Sequence, residues 1–313
     1  MLIQGTIGDS GGQLVRAPVP STSPDHRPRR SAVTRTLAVA NQKGGVAKTT
    51  TVASLGSALV ELGERVLLVD LDPQACLTFS LGLDPDALEL SVHDVLLGRV
   101  SAAMVVQPTD DGVDLLPATI DLAGSEAQLL TRTGREYALR SAIEELAAGY
   151  DWVVLDCSPS LGVLTLNALT AADWLMIPLQ CETLSHRGVG QLLDTVADVQ
   201  RLTNRNLRVL GVLPTLYDGR TKHAQAVLAD VADRYSVEVL EPSVPKSVRF
   251  AEAPAAGRSI LSTAGSSKGA AAYREHARRL LVLDGEPAGS RWPGPLPGTT
   301  SGPTSGPTDR ATE

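Results

Sequence analysis

Short apolar runs alternate with helical patterns through the middle of this 313-residue chain. Each run is nearly continuous in hydrophobic residues, which is typical of parallel strands that are buried on both faces of a sheet. The runs predict six strands, at residues 37–40, 66–69, 113–116, 152–155, 174–178 and 209–213. Because helical patterns separate them, we expect an α/β fold, with a doubly wound, mostly parallel sheet and helices on both faces.

Two of the helical patterns can be placed closely. After the first predicted strand, apolar residues recur at the spacing of one helix face, at Val52, Leu55, Leu59 and Leu62. Gly63 follows them and predicts the end of that helix. Residues 184–202 also keep their apolar side chains on one face, so we expect a long helix after the fifth predicted strand.

The patterned region is flanked by sequence of low complexity. Residues 1–35 are rich in Gly, Pro, Ser and Arg, and residues 285–313 are rich in Pro, Gly and Thr. Neither segment has an apolar period, so we expect both to be disordered tails. The sequence therefore predicts one folded domain at residues 36–284, which is long enough for a sizeable core.

Composition and charge narrow the functional classes. The chain is 43% hydrophobic and 20% charged, as in soluble globular proteins. No apolar run approaches the roughly 18 residues needed to span a bilayer. A net charge of −7 argues against bulk electrostatic binding of nucleic acid but allows a local basic patch. The three cysteines form no C-x-x-C motif, so we expect reduced thiols and a cytoplasmic protein.

A glycine-rich turn, Asn-Gln-Lys-Gly-Gly-Val-Ala-Lys-Thr-Thr at residues 41–50, joins the first predicted strand to the first predicted helix. The backbone N–H groups of such a turn and the helix end behind it favour a phosphate. In a phosphate loop, Lys48 reaches the terminal phosphates and Thr49 holds Mg²⁺. The match is incomplete, because Gln42 and Ala47 replace the two framing glycines, and alone it also fits a Gly-Gly turn with a surface lysine.

Acidic residues at two strand ends favour the nucleotide interpretation. Asp70 and Asp72 follow the second predicted strand, and Asp156 follows the fourth. A carboxylate in these places contacts Mg²⁺, directly or through water, or orients a water. The glycine turn and the acids together predict Mg²⁺-dependent nucleotide hydrolysis. An ordinary phosphate loop has no need of Lys43, so we expect that lysine to serve the phosphate of a second subunit, in trans.

Several segments resemble one family. The lysine pair and residues 70–74, 156–162, 178–182, 213–221 and 244–254 resemble the ParA/Soj partition ATPases, which belong to the deviant Walker A (MinD/ParA) class of P-loop NTPases. The resemblance extends from about residue 36 to residue 283, in order and without large gaps. It implies ATP and Mg²⁺ as cofactors and an ATPase that forms a homodimer in its ATP state.

The resemblance also implies roles for individual residues. Nucleotide-binding residues are Lys43, Gly44, Gly45, Val46, Ala47, Lys48, Thr49, Thr50, Thr215, Val244, Pro245 and Ser247. Catalytic residues are Lys43, Lys48 and Asp72, with Asp72 needed to position or activate water. Metal ligands are Thr49, Asp72 and Asp156. Arg220 and Arg249 match the arginines with which the family binds DNA without sequence preference.

The function implied is a switch that binds non-specific double-stranded DNA as an ATP dimer and drives chromosome or plasmid partitioning. Such a protein is associated with the nucleoid, does not bind membranes and is activated by a ParB-type partner. The alternative is a MinD-like positioning ATPase that acts on a membrane or a protein cargo. That alternative needs a carboxy-terminal amphipathic helix, whereas Leu283 is followed by Pro/Gly-rich sequence. An iron–sulphur carrier of the same fold needs closely set cysteines, which Cys76, Cys157 and Cys181 are not.

The family usually has glycine where this chain has Ala47. We expect alanine to be tolerated there if its φ angle is negative and to be costly otherwise. We expect this substitution to affect the rate of ATP hydrolysis more than it affects the binding of the nucleotide.

Overall fold

The computed structural model describes residues 34–182 and 185–283. Its strands are β1 (Arg35–Val39), β2 (Val66–Leu71), β3 (Gln107–Pro108), β4 (Asp114–Leu116), β5 (Trp152–Cys157), β6 (Trp174–Gln180) and β7 (Arg208–Thr215). They form one sheet in the order β3-β4-β2-β5-β1-β6-β7. All neighbours are parallel except β3, which is antiparallel to β4. All six predicted strands are confirmed, and β3 is an addition at the edge.

Helices connect the parallel strands. They are α1 (Lys48–Glu61), α2 (Cys76–Ser80), α3 (Val92–Leu96), α4 (Leu122–Leu130), α5 (Ala138–Leu146), α6 (Val163–Ala171), α7 (Ser185–Leu202), α8 (Lys222–Tyr235), α9 (Arg249–Glu252), α10 (Ile260–Thr263) and α11 (Lys268–Val282). Two of them, α1 and α7, coincide closely with the helices that the sequence predicts. No helix in the described ranges is both long and apolar enough to cross a membrane.

The sheet separates two hydrophobic cores, as a doubly wound fold requires. Successive side chains of a strand point to opposite faces. On β1, Leu37 and Val39 pack into the core that contains α1 and α11, whereas Ala38 packs into the core that contains α6 and α7. The strands are buried on both sides, which explains why they are continuous apolar runs in the sequence.

The parallel register brings the carboxyl ends of the central strands to one edge of the sheet. In that register Asp70 of β2 lies opposite Asp156 of β5, and Val39 of β1 also lies opposite Asp156. The turn after β1 therefore lies beside the acids that follow β2 and β5. Ligands of open α/β sheets bind at this edge.

The two predicted tails lie almost entirely outside the described residues. Residues 1–33 and 284–313 are not described, so the predicted disorder of residues 1–33 and 285–313 stays a prediction. Strand β1 begins at Arg35, one residue before the predicted start of the domain.

Candidate nucleotide site

The turn between β1 and α1 forms an open cradle. Gly45 and Ala47 both have left-handed backbone conformations, with φ angles of 73° and 63°. A Cβ atom added at Gly44 or Gly45 would meet no atom of the described residues within 4 Å, so space lies over the loop. Behind it, α1 runs for 14 residues and directs the positive end of its dipole at that space. This geometry fits a phosphate group.

The φ angle of Ala47 is positive, so this alanine falls under the costly case of the two that the sequence allows. At φ 63° its Cβ lies close to backbone oxygen, and this conformation costs roughly 1–2 kcal/mol in a residue other than glycine. The main-chain oxygen of Ala47 accepts the first hydrogen bond of α1, from the N–H of Thr51 at 2.9 Å. The alanine is therefore accommodated, and the start of α1 carries the strain.

Neighbouring strands hold the loop in place. The buried side chain of Asn41 donates to the main-chain oxygen of Pro178 at 2.7 Å and accepts from the N–H of Lys43 at 3.0 Å. From β7, the buried hydroxyl of Thr215 donates to the main-chain oxygen of Val46 at 2.9 Å. Thr215 thus contacts the phosphate loop itself. The role of Asn41 was missed from the sequence, although its position at the start of the loop was visible.

Lys48 is almost fully buried at the base of the cradle. Its exposed fraction is 7%, and its ammonium donates to the main-chain oxygen of Lys43 at 3.1 Å. Burial lowers the pKa of Lys48, and the negative charge of Asp156 is the strongest influence in the other direction. A buried ammonium of this kind is well placed for an anion, because it gains most from a partner of opposite charge.

Asp70 has a structural task. Its carboxylate accepts from the N–H and the hydroxyl of Thr78 at 2.9 and 2.8 Å and from the N–H of Asp72 at 3.1 Å. These contacts attach α2 to the end of β2. The side chain is fully buried, and burial raises the pKa of Asp70 to about 6.

Asp156 has what a metal ligand needs. Both carboxylate oxygens are buried, and no described residue offers either of them a hydrogen bond of good geometry. Burial, and next the charge of Asp70, raises the pKa of Asp156 well above its ordinary value, whereas the Thr49 hydroxyl and Lys48 act against this rise. A buried carboxylate without a donor calls for an unseen partner, and Mg²⁺ fits one next to a hydroxyl.

The donor set also fits magnesium in another respect. The described residues contain no cluster of three or more His, Cys, Asp or Glu side chains that would cage a metal. Mg²⁺ in phosphoryl-transfer sites is held by one or two protein oxygens together with phosphates and waters. Asp156 and Thr49 supply that number, and Asp72 lies near enough for its charge to act on Lys48, Asp70 and Asp156.

Lys43 is directed towards the end of β6. Its ammonium lies 2.5 Å from the carboxylate of Glu182, in a pair whose side chains are 34% and 55% exposed. The hydrogen bond to Lys43 lowers the pKa of Glu182. The two lysines therefore differ, since Lys48 is buried in the cradle of its own chain and Lys43 is bound beside it.

The segment predicted to lie near the adenine packs against the end of β7. The N–H of Val244 donates to the oxygen of Pro214 at 2.8 Å, and the oxygen of Val244 accepts from Tyr217 at 3.0 Å. Tyr217 also forms a bridge with Pro245. Val244 and Pro245 thus lie beside the segment that follows β7, and the binding of a nucleotide by Val244, Pro245 and Ser247 stays a prediction.

The two predicted DNA-binding arginines are exposed, and each is paired with an acid of its own chain. The guanidinium of Arg220 donates to both carboxylate oxygens of Asp218, at 2.9 and 2.8 Å. Arg249 donates to Glu252 at 2.8 Å. The bridge between residues 217 and 245 brings the two segments together, so the arginines belong to one region.

Comparison with known proteins shows the family to which the chain belongs. Residues 34–209 match the family model described as an AAA domain. The chain is 45% identical over 251 residues to the chromosome-partitioning ATPase Soj of Thermus thermophilus, covering 80% of this chain and 97% of that protein. It is 41% identical over 247 residues to the sporulation initiation inhibitor protein Soj of Bacillus subtilis, covering 79% and 98%.

A solved structure is also similar. It is described as a cobyrinic acid a,c-diamide synthase from Mycobacterium smegmatis with a bound ATP analogue and magnesium. The identity is 60% and the TM-score 0.73, over 80% of this chain and 96% of that chain.

The fold, the phosphate loop and the unpaired buried carboxylate opposite it define a P-loop ATPase that uses ATP and Mg²⁺. Within that class, the chain belongs to the ParA/Soj family of ATPases.

Proposed function

We propose that this ATPase is a dimerising switch that binds DNA without sequence preference and drives the partitioning of a chromosome or plasmid. The observation that carries the proposal is the position of Lys43. Its side chain is 34% exposed and lies at Glu182, outside the cradle that holds Lys48, so a phosphate of a second copy can reach it once the pair with Glu182 opens. Sandwiching ATP between two copies supplies such a phosphate.

Residues of the cradle have separate tasks in this proposal. Residues 43–50 bind the phosphates, with Lys48 on the terminal phosphates and Thr49 and Asp156 on the metal. Bound Mg²⁺ neutralises charge that develops on the phosphate oxygens. Asp72 orients the attacking water, and Lys43 of each copy stabilises the transition state of the other. Thr215, Val244, Pro245 and Ser247 complete the nucleotide site.

Arg220 and Arg249 are the proposed DNA contacts. They lie on adjoining segments and are exposed, with side-chain exposed fractions of 90% and 60%. Such contacts involve phosphates alone and give no sequence preference. A ParB-type partner that stimulates hydrolysis would then release the DNA, and the protein would be found in the cytoplasm on the nucleoid.

The test is the rate of ATP hydrolysis with and without duplex DNA and a candidate ParB-type partner. We expect DNA and partner together to raise the wild-type rate, and Lys48→Ala to abolish both hydrolysis and ATP-dependent DNA binding. Full DNA binding by Lys48→Ala would refute the switch. Flotation with anionic liposomes and ATP is the matching test for the MinD-like alternative, which predicts binding to the vesicles.

A second candidate is an ATP-dependent amide synthase, favoured by the 60% identity to the Mycobacterium smegmatis structure. Release of ammonia from glutamine requires an activated thiolate. Burial raises the pKa values of the free thiols Cys76, Cys157 and Cys181, that of Cys181 to about 11. Stimulation of hydrolysis by cobyrinic acid with glutamine or ammonia, and none by DNA, would favour this second function.

A further inference from the structure

Glu182 follows β6 and holds the side chain of Lys43 through a contact of 2.5 Å. The hydrogen bond lowers the pKa of Glu182, so the carboxylate is charged throughout the neutral range. Because the two residues are 139 positions apart, only the fold brings them together. The sequence resemblance assigns Glu182 no role.

Three packed elements fix this pair. Asn41 attaches the loop to β6 through Pro178 and also accepts from the N–H of Lys43. On its other side, a Cβ atom added at Gly188 in the first turn of α7 would lie 3.3 Å from Oδ1 of Asn41. The phosphate loop, the end of β6 and the start of α7 thus meet at the side-chain amide of Asn41. The distance between Lys43 and Glu182 therefore depends on how these three segments pack.

We propose that Glu182 is a positioning residue for Lys43, and that it competes with the phosphate of a second copy for the lysine ammonium. The ammonium of Lys43 can bind either the carboxylate of Glu182 in its own chain or an anion of another chain. Each of these contacts weakens the other. In the monomer the pair restrains Lys43 in cis. Dimerisation on ATP must break this pair in each protomer, so Glu182 sets the protein concentration at which the dimer forms. The inference rests on the proposed role of Lys43 in trans.

The size of the effect follows from exposure. Both side chains are partly exposed, and exposed ion pairs contribute little because water and salt screen them. Two such pairs are broken for each dimer. Removal of the carboxylate should therefore lower the protein concentration of half-dimerisation by about threefold to tenfold.

The experiment measures dimerisation by sedimentation, with saturating Mg²⁺ and a non-hydrolysable ATP analogue. Glu182→Gln and, as a second variant, Glu182→Ala should shift the midpoint as stated, whereas Glu182→Asp keeps the charge and should stay close to wild type. Glu144→Gln is the matched control, because it breaks an exposed pair with Arg140 on α5. The difference between Glu182→Gln and wild type should shrink at high salt.

A double variant separates a positioning role from a merely structural one. If Glu182 acts through Lys43, then Glu182→Gln has no effect on the midpoint in a Lys43→Ala background. An unchanged or weaker dimer in Glu182→Gln and Glu182→Ala, with a defective Lys43→Ala, would overturn the competition and leave the proposed function intact. Wild-type dimerisation and hydrolysis by Lys43→Ala would instead overturn the trans role itself.

Discussion

Asp70 and Asp156 lie directly opposite each other on the paired strands β2 and β5, and both carboxyl groups are buried. Burial raises the pKa values of both, and the charge of Asp70 raises that of Asp156 further. Asp70 is compensated by donors from Thr78 and residue 72, whereas no described residue donates to Asp156 with good geometry and the Thr49 hydroxyl is the donor nearest to doing so. Ionisation of the two carboxyl groups is therefore unfavourable in the free chain, and a divalent cation at Asp156 would favour it.

The first prediction concerns stability and pH. The pKa of Asp70 is about 6 in the folded chain, above its ordinary value of 3.8, so the folded state keeps a proton that the unfolded state releases. The resulting stabilisation is present below about pH 4 and is lost as the pH rises through 6. We expect Asp70 to account for a loss of roughly 2–3 kcal/mol of unfolding free energy over this window in the nucleotide-free chain.

Urea unfolding between pH 4 and pH 7 measures this loss. Asp156 also has a raised pKa and contributes to the same window, so Asp70→Asn should reduce the slope without removing it. Asp218, whose pKa is lowered to about 2 by the hydrogen bonds from Arg220, provides a control carboxyl that does not titrate in the window. A slope that Asp70→Asn leaves unchanged would contradict the assignment.

The second prediction concerns the metal. In the wild type, Mg²⁺ should strengthen the thermal stabilisation that ATP provides, because it neutralises Asp156 together with the phosphates. In Asp156→Asn that dependence on Mg²⁺ should largely disappear, although ATP alone should still bind. Asp114→Asn is the matched control and should behave like wild type. It alters a carboxylate on β4 that accepts a hydrogen bond from the hydroxyl of Tyr150. Melting temperatures with ATP, with and without Mg²⁺, decide the question.

The third prediction concerns Ala47. Replacement by glycine relieves left-handed strain of roughly 1–2 kcal/mol and costs about 0.4–1 kcal/mol in chain entropy, so Ala47→Gly should be about 0.5–1 kcal/mol more stable. Ala75 has a φ angle of 50° and lies outside the phosphate loop, so Ala75→Gly is a matched control with a similar gain. Only Ala47→Gly should also change the rate of ATP hydrolysis. If Ala47→Gly and Ala75→Gly both hydrolyse ATP at the wild-type rate, the strain at Ala47 has no catalytic consequence.

The fourth prediction concerns DNA affinity. Asp218 neutralises Arg220, so Asp218→Asn should tighten binding to duplex DNA by about twofold to threefold. Arg220→Ala and Arg249→Ala should weaken binding and lower the salt slope by roughly one each. Arg140→Ala, from another exposed pair on α5, should leave binding unchanged. Fluorescence anisotropy over a salt series gives these values, and a neutral result for both arginines would remove them from the DNA interface.

The sequence predicted the elements whose patterns are continuous. The central strands are apolar runs because both faces are covered, and α1 and α7 keep regular apolar faces. Strand β3 has only two residues, one of them Pro108, so no period marks it. The glycine-rich turn follows one predicted strand, and the acidic residues follow two others. These positions were enough to place Lys48, Asp70 and Asp156 at one edge of the sheet.

Other features of the site depend on tertiary placement and left no mark in the sequence. The φ angle of Ala47 depends on how the loop closes over α1. Asn41 gains its role from Pro178, and Lys43 gains a partner in Glu182, more than a hundred residues away in each case. Arg220 and Asp218 are only two residues apart, but the sequence does not indicate that their side chains form an ion pair.

The central claim is that Lys43 completes the site of a second copy, whereas Asp72 acts within its own chain. The most direct measurement mixes Lys43→Ala with Asp72→Ala, each inactive alone, and follows ATP hydrolysis. In a mixed dimer, one site has its own Asp72 and receives Lys43 from the partner. Equal mixing should therefore restore up to about a quarter of the wild-type rate, since half the dimers are mixed and one site in each is complete. A mixture no more active than its two components would contradict the claim.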